Sequence, residues 1–522
     1  MFARISASRS AAPICAFVGG ALPTTILSCC AGALLPLLGT RAVLPLRAAC
    51  REAAATAAQH PWEDAETVIQ GSVGAWRACF PRARTANVSQ LDRNCNAARR
   101  ARVLDADFAH LAGLRVLHMR ACTSVTDAAF AHLTGIRTLD MSNCDQPGVT
   151  DAAFAHLAGI HTLNMSNCKQ AGITDAALAH LTGIHTLRMW GCSQAGLTDA
   201  AFAHLRGIHT LIMSYCSQPS ITDAAFAHLA GIHTLDMGWC KQAGITDAAF
   251  AHLRGIHTLR MYDCYQAGIT DAAFTHLRGI HTLDMGFCNQ GCATDAAFAH
   301  LRGIHTLKIE GVRASITDAA FAHLRGIHTL DASRSVLPRV TDAAFSHLAG
   351  IHTLNIHSAC LEGVTDSAFA HLRGIHTLNI SHNFLAGITD AAFANLQGIH
   401  TLNMSGCAHE AITDAAFAHL RGIHTLDMGD CKQASITDAA FAHLAGIHTL
   451  RMWGCSQAGI TDAAFAHLRG IHTLIMHGCR QEGITTAALA HLRGIHTLCL
   501  SGSHLGTRAE ILALCQAKDL IY

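Results

Sequence analysis

The residues with most chemistry in this 522-residue chain are its 22 cysteines and 38 histidines. In a short secreted chain, so many cysteines would read as a disulfide framework. Their placement says otherwise. Cys122, Cys144, Cys168, Cys192, Cys216, Cys240, Cys264 and Cys288, then Cys407, Cys431, Cys455 and Cys479, fall at one recurring position. Twelve thiols at equivalent positions suit small interior residues that donate to the loop of their own turn. Unpaired thiols in such number point to a reducing compartment, cytosol or nucleus.

The histidines form two rows, one of the type His228, His252, His276 and one of the type His233, His257, His281. A zinc site needs three or four ligands converging on one point. A row with one imidazole per copy supplies neighbours without closure, so no metal or other cofactor is expected. The sequence shows no nucleophile–base constellation and no glycine-rich phosphate loop, so an enzyme is not expected either. Asn-x-Ser matches at Asn164, Asn379 and Asn403 fall within strand segments and read as chance. Half of the residues are apolar and 14% are charged, which is ample for burial. The net charge of +1 gives no electrostatic reason to expect nucleic acid or an anionic membrane as ligand.

These rows require repeated elements to hold them. Ile-His-Thr-Leu recurs with its isoleucine at Ile160, Ile184, Ile208 and onward to Ile304 in steps of 24. One step of 23 leads to Ile327, and steps of 24 resume to Ile495; divergent copies at Leu114 and Ile136 bring the number to 17. Within the copy from Ile221 to Cys240, Leu235 and Met237 alternate with Thr234 and Asp236, the period of a strand. Phe226 and Leu229 are three apart, which suits one to two helical turns, with Thr222 as N-cap, Asp223 in the first turn and Gly231 closing. One copy buries roughly seven apolar side chains at ~1.5–3 kcal/mol each. Ordering its residues costs on the order of 1–2 kcal/mol apiece, so only stacked copies are stable.

The pattern I-x-x-L-x-M-x-x-C followed by I-T-D-x-x-F-x-x-L resembles the cysteine-containing leucine-rich-repeat family. Asn383 replacing Cys in one copy strengthens the likeness, because that position holds Cys or Asn in the family. The resemblance implies an α/β solenoid, a horseshoe with a parallel sheet on its concave side and short helices on its convex side. Val312, Ser335 and Ala359 depart from the pattern, and 311–360 is its least regular part.

The apolar positions barely change between copies; the outward strand positions do. They carry Arg188 and Arg260 among alternating charges, and the two residues after each Met include Trp190, Tyr215, Trp239, Tyr262 and Phe287 in five consecutive copies. On strands ~4.8 Å apart these form an aromatic strip, with Trp453 beside Arg451 as a second, isolated candidate. Trp, Tyr and Arg are common binding anchors, so a protein partner on the concave face is one reading. A self-stacking ladder that stiffens the sheet is the other.

Before the array, the first 50 residues contain no Asp or Glu, and 31 uncharged residues separate Arg9 from Arg41. A targeting peptide is one reading of this stretch. Prolines and glycines interrupt it too often for a membrane span. From Leu34 to Asp64 the sequence resembles an F-box, carried by Val43-Leu44-Pro45-Leu46-Arg47 and the Cys50-Arg51 pair. That resemblance implies a small helical segment docking on the adaptor of a cullin-based (SCF) ubiquitin ligase, with Leu35, Leu38, Val43, Leu46 and Cys50 at or behind the interface. The expected organisation is a variable N-terminus (1–21), an F-box-like segment (22–64), a junction with a degenerate capping repeat (65–102), the solenoid (103–506) and a C-terminal cap (507–522). The function expected is a non-catalytic, substrate-recognising ligase subunit. A stand-alone binding scaffold is the alternative, and a secreted recognition protein a third reading.

Overall fold

The computed structural model describes residues 42–43, 51–64, 68–69, 71–89 and 103–521, apart from 289–293, 314, 384–386, 408 and 503–504. Of the F-box-like positions, Val43 is described; Leu35, Leu38, Leu46 and Cys50 lie outside the described residues, as does 1–21. The chain divides into two compact units, Met1–Ile232 and His233–Tyr522.

In the first unit, helices Arg51–Gln59 and Val73–Cys79 precede the strand Thr85–Asn87. Ser72 caps the second helix by accepting from the Ala75 N–H. Val43, Ala57, Trp62, Phe80 and Ala83 form a buried cluster. The Trp62 indole N–H donates to the Ala57 carbonyl at 2.8 Å, and its ring meets Phe80 edge-on. Thr85–Asn87 pairs in parallel with Val116–His118, and parallel pairing continues strand by strand to Thr210–Ile212.

The second unit repeats the arrangement from Thr234–Asp236 to Thr497–Cys499, again with parallel neighbours. The 23-residue step leaves the sheet untouched: Leu307 pairs with Leu330 in the common register, so the missing residue is absorbed in the loop. Helix Arg508–Cys515, with a Thr507/Glu510 capping box, and the strand Asp519–Ile521 close the array.

Each repeat helix is short for a local reason. Thr222 caps it, Asp223–Phe226 complete one turn, and Gly231 reverses the chain at φ 83°. Phe226, Leu229, Leu235 and Met237 are at most 1% exposed, so burial of these side chains drives the stack.

Polar groups then lock each copy to the next. The Asp127 carboxylate accepts from both the N–H and the hydroxyl of Thr150 at 2.7 Å, and the same double bond recurs along both units. The Asp that the sequence assigns to the helix dipole therefore also staples two copies. The thiols correct the expectation of bonding within their own turn. Cys168 donates to the Met141 carbonyl and Cys192 to Met165, each in the preceding copy. Asn383 donates to Ile356 at 2.7 Å and Ser335 to Ile309 at 2.6 Å, so both fill the same role. Burial pushes the thiols up, Cys407 to about 11 and Cys192 to about 12, which keeps them protonated donors. A second staple follows two residues later, where buried Gln194 donates to the Cys168 carbonyl.

Candidate functional site

The residues that differ between copies sit at the end of each strand, where the structure explains what each can carry. After the strand-end Met the chain makes a tight turn, closed in most copies by the Cys N–H on the Met carbonyl, as in Cys168 to Met165. Its third residue lies in the left-handed region. Gly191, Gly454 and Gly478 occupy it at little cost, and Asn143 and Asn167 tolerate it. Tyr215, Trp239 and Phe287 also occupy it, at φ 60°, 60° and 56°. A bulky L-residue there costs roughly 1–2 kcal/mol against glycine. Ala121, Asp263, Arg334, Ser358, His382 and Asp430 hold the same position in other copies, so the cost is met by rings and by small or charged residues alike.

In the first unit, Trp190 and Tyr215 are 36% and 41% exposed and meet edge-on with centroids 5.2 Å apart. Arg188, exposed, is in register with Asn164 and Ile212. Nearer the N-terminus the same face is closed upon itself. Asp140 accepts from Arg120 at 2.6 Å and from the Ser142 hydroxyl at 2.7 Å, with His118 also beside it. Burial alone would raise the Asp140 carboxyl, but these bonds overrule it and hold the group well below the usual carboxylate range.

In the second unit, Asp236, Arg260, Asp284, Lys308 and Asp331 follow one another in register, an alternating charge column on five strands. Half-buried Trp239 carries the Lys241 ammonium 5.1 Å from its ring centroid, and the same ammonium sits 5.3 Å from Tyr265. Tyr262 lies over Gly238 so closely that a Cβ there would collide with the ring; Phe287 covers Gly311 in the same way. The isolated candidate repeats this device: Trp453 covers Gly429, stacks on His477, and stands beside Arg451, which is in register with Asp427. Burial raises the Asp427 carboxyl, opposed by the Gly429 N–H, Arg451 and the Trp453 indole.

The structure places Arg188 and Arg260 at the ends of strands, and Trp190, Tyr215, Trp239, Tyr262, Phe287 and Trp453 in the turns that follow the strands. Sequence reasoning missed Tyr265, which stands one residue beyond the Cys position and is 44% exposed. It also missed the glycine seats, although Gly238 and Gly429 precede their aromatics by one repeat length.

A further cluster lies in the irregular stretch. Ala359 takes the buried Cys position, and the thiol moves to exposed Cys360. His357, Ser358, Cys360, Glu362 and His382 line a cleft of about 590 Å³. Ser358 Oγ is 3.2 Å from His357 Nε2, and His357 Nδ1 is 2.8 Å from Ser381 Oγ. The N–H groups of Ser358, Ala359 and Cys360 are all bonded to carbonyls, so none of these three is presented to a developing oxyanion. Among the described residues, no group of three or more His, Cys, Asp or Glu side chains could hold a metal.

The architecture is that of a leucine-rich-repeat solenoid. The pattern described as "BspA type Leucine rich repeat region" matches residues 293–424 and 366–493, in six copies. No curated protein matches the chain. Solved structures share the fold at low identity. A chain of the Drosophila Toll–Spatzle complex is 15% identical, with a TM-score of 0.51, over 83% of this chain and 62% of that one. A leucine-rich-repeat protein of Leptospira interrogans is 12% identical, with a TM-score of 0.53, over 81% and 99%. The mouse RP105/MD-1 complex gives 14%, 0.53, 83% and 77%. This chain thus spans less than two thirds of the Toll-complex chain that it matches.

Proposed function

We propose that the chain is a non-catalytic protein-recognition scaffold that grips its partner at the turns after the strands, through Trp190 and Tyr215 in the first unit and Trp239, Tyr262, Phe287 and Trp453 in the second. The observation that carries this reading is the exposure of large rings, Trp190 and Tyr215 above all, at the turn positions where copies differ. Leucine-rich-repeat neighbours seen in complex with protein partners support it. Arg188 and Arg260 add charge-assisted contacts at the same level. The buried thiols that donate to main-chain carbonyls, Cys168 and Cys192 among them, support a reducing location, cytosol or nucleus. The decisive comparison is partner capture by the wild type and by Trp190→Ala/Trp239→Ala/Tyr262→Ala. Capture is expected to be lost while the circular-dichroism melt stays within a few degrees; equal capture overturns the reading.

The destination of the captured protein rests on the segment before the array, which we read as an F-box-like element delivering the target to an SCF-type ligase. Its test is co-purification of the ligase adaptor and cullin with the full chain and with Leu35→Asp/Leu38→Asp. Adaptor bound to neither removes the ligase role. One observation favours the second reading, a stand-alone scaffold: Val43 is 1% exposed and packed with Trp62, Phe80 and Ala83, as an N-terminal cap requires.

A further inference from the structure

The near-zero net charge conceals a segregation. In each repeat of the second unit except the last, where Thr486 stands instead, the helix start carries an Asp engaged by the Thr of the next copy, as Asp247 is by Thr270 and Asp295 by Thr317. The connection from helix end to strand start, on the other edge, reads His-Leu-x-Gly-Ile-His-Thr with little change. Between His252 and Thr497 none of these connections contains Asp or Glu. In four consecutive copies x is Arg254, Arg278, Arg302 and Arg325, all exposed. One edge therefore presents an arginine row between two histidine rows.

The geometry on that edge is ordered. The strand-start imidazoles from His233 to His496 stack face to face, with centroids 4.4–4.5 Å apart and planes within about 12°. The column runs about 50 Å, as parallel strand spacing requires. Each ring turns Nδ1 toward the neighbouring Thr hydroxyl, as His257 does toward Thr258 at 3.1 Å. The arginines are tethered: Arg254 donates to His276 Nδ1 at 3.4 Å, Arg302 to His323 at 3.2 Å and Arg325 to His347 at 3.3 Å. An arginine can only donate, so a proton on that Nδ1 cancels the bond and releases the guanidinium.

We propose that this edge of the second unit binds an extended phosphate chain, and binds it more tightly as pH falls. A linear row of guanidinium forks and imidazolium donors matches successive phosphates, each offering several acceptor oxygens. The groups beside the imidazole column are its own members and the threonine hydroxyls, with Lys518 and Asp519 at its C-terminal end, while the arginines are bonded to the helix-end histidines. Partial desolvation and the flanking rings lower His305, His352, His400 and His472. An anion laid along the column reverses the repulsion between rings, so binding takes up protons. Inorganic polyphosphate and single-stranded nucleic acid share this chemistry.

The test uses the full chain and fluorescence anisotropy, with labelled polyphosphate and labelled oligothymidine as separate probes, at pH 5.5 and 7.5 across a salt series. At least one probe is expected to bind tenfold or more tightly at the lower pH. Replacing Arg254, Arg278, Arg302 and Arg325 by Gln should reduce the slope of log affinity against log salt by about 3, as for four lost phosphate contacts on a single strand. Replacing the same four by Lys should restore most of it. His257→Gln/His281→Gln/His305→Gln/His328→Gln should flatten the pH dependence. Binding by one probe alone identifies the phosphate source. Binding of neither probe, equal binding of poly-glutamate, or unchanged binding in the Gln variant of a chain whose melt is intact, overturns the proposal.

Discussion

The positions that bond to the adjacent copy and the positions that vary, at the strand ends and in the turns after them, use their side chains to opposite ends. Among the former, Asp, Thr, Cys and Gln each bond a group in the adjacent copy, as Asp151 does to Thr174 and Cys192 to Met165. At the varying positions, Asp236, Arg260 and Asp284 line up on neighbouring strands, and Trp190 and Tyr215, in the turns that follow their strands, remain substantially exposed. A group whose partner is the next copy of itself cannot change alone, because the change strands a buried donor or acceptor at about 1–3 kcal/mol. A group that faces solvent can. Uniformity and variation in this chain are the same rule seen from two sides.

The largest test of that contrast lies in the core. Phe250→Ala should cost about 3–5 kcal/mol in denaturant titration, since Phe250 is fully buried. If Trp190→Ala cost as much, the varying positions would be structural and the contrast would fail. Next is Asp247→Ala, which replaces two charge-assisted bonds from the exposed Thr270 N–H and hydroxyl by bonds to solvent. A loss of about 1.5–3 kcal/mol is expected, and a change below about 0.5 would mean that the staple contributes nothing. Smaller still is Tyr215→Gly. Relief at a left-handed residue offsets the lost contact with Trp190 and the freedom gained by the unfolded chain, so stability should stay within about 1 kcal/mol. Partner capture should nevertheless fall. A stiffening ladder predicts the reverse, a clear destabilisation with capture preserved.

The mildest effect is that of pH. The strand-start histidines with lowered values, His305 and His400 among them, favour the neutral form in the folded chain. Their contribution is full above the unfolded value near 6.5 and is lost as pH falls below it. Melting temperature should therefore decline from pH 7 to 5, less so in the His→Gln variant. Asp140 runs the same way in a lower window. Its depressed carboxyl stabilises the fold above about pH 4, and that contribution is lost as acid titrates it, so Asp140→Asn should shorten the acid limb of the stability profile.

Much of this is legible in the sequence. The 24-residue period, the alternation at Leu235 and Met237, Thr222 as a cap and Gly231 as a stop all follow from local preference and burial pattern, which act within a few residues. The exchange of Cys for Asn383 announced a shared hydrogen bond. What periodicity could not say was which carbonyl receives it, because the donor and the Met141-type acceptor belong to different copies. Nor could the sequence separate Tyr262 from Tyr265, one seated on Gly238 and the other sharing Lys241 with Trp239.

By itself, then, the sequence determined the repeat unit, its interior and the positions free to vary. The tertiary structure alone decided how those units address one another. It joined Asp to the next Thr, lined up four arginines along one edge of the second unit, stacked dispersed histidines at 4.5 Å and set three aromatics on left-handed turn positions. The physical reason is range. Propensity and hydrophobic period act along the chain, whereas charge segregation and ring stacking exist only when residues 24 apart become neighbours.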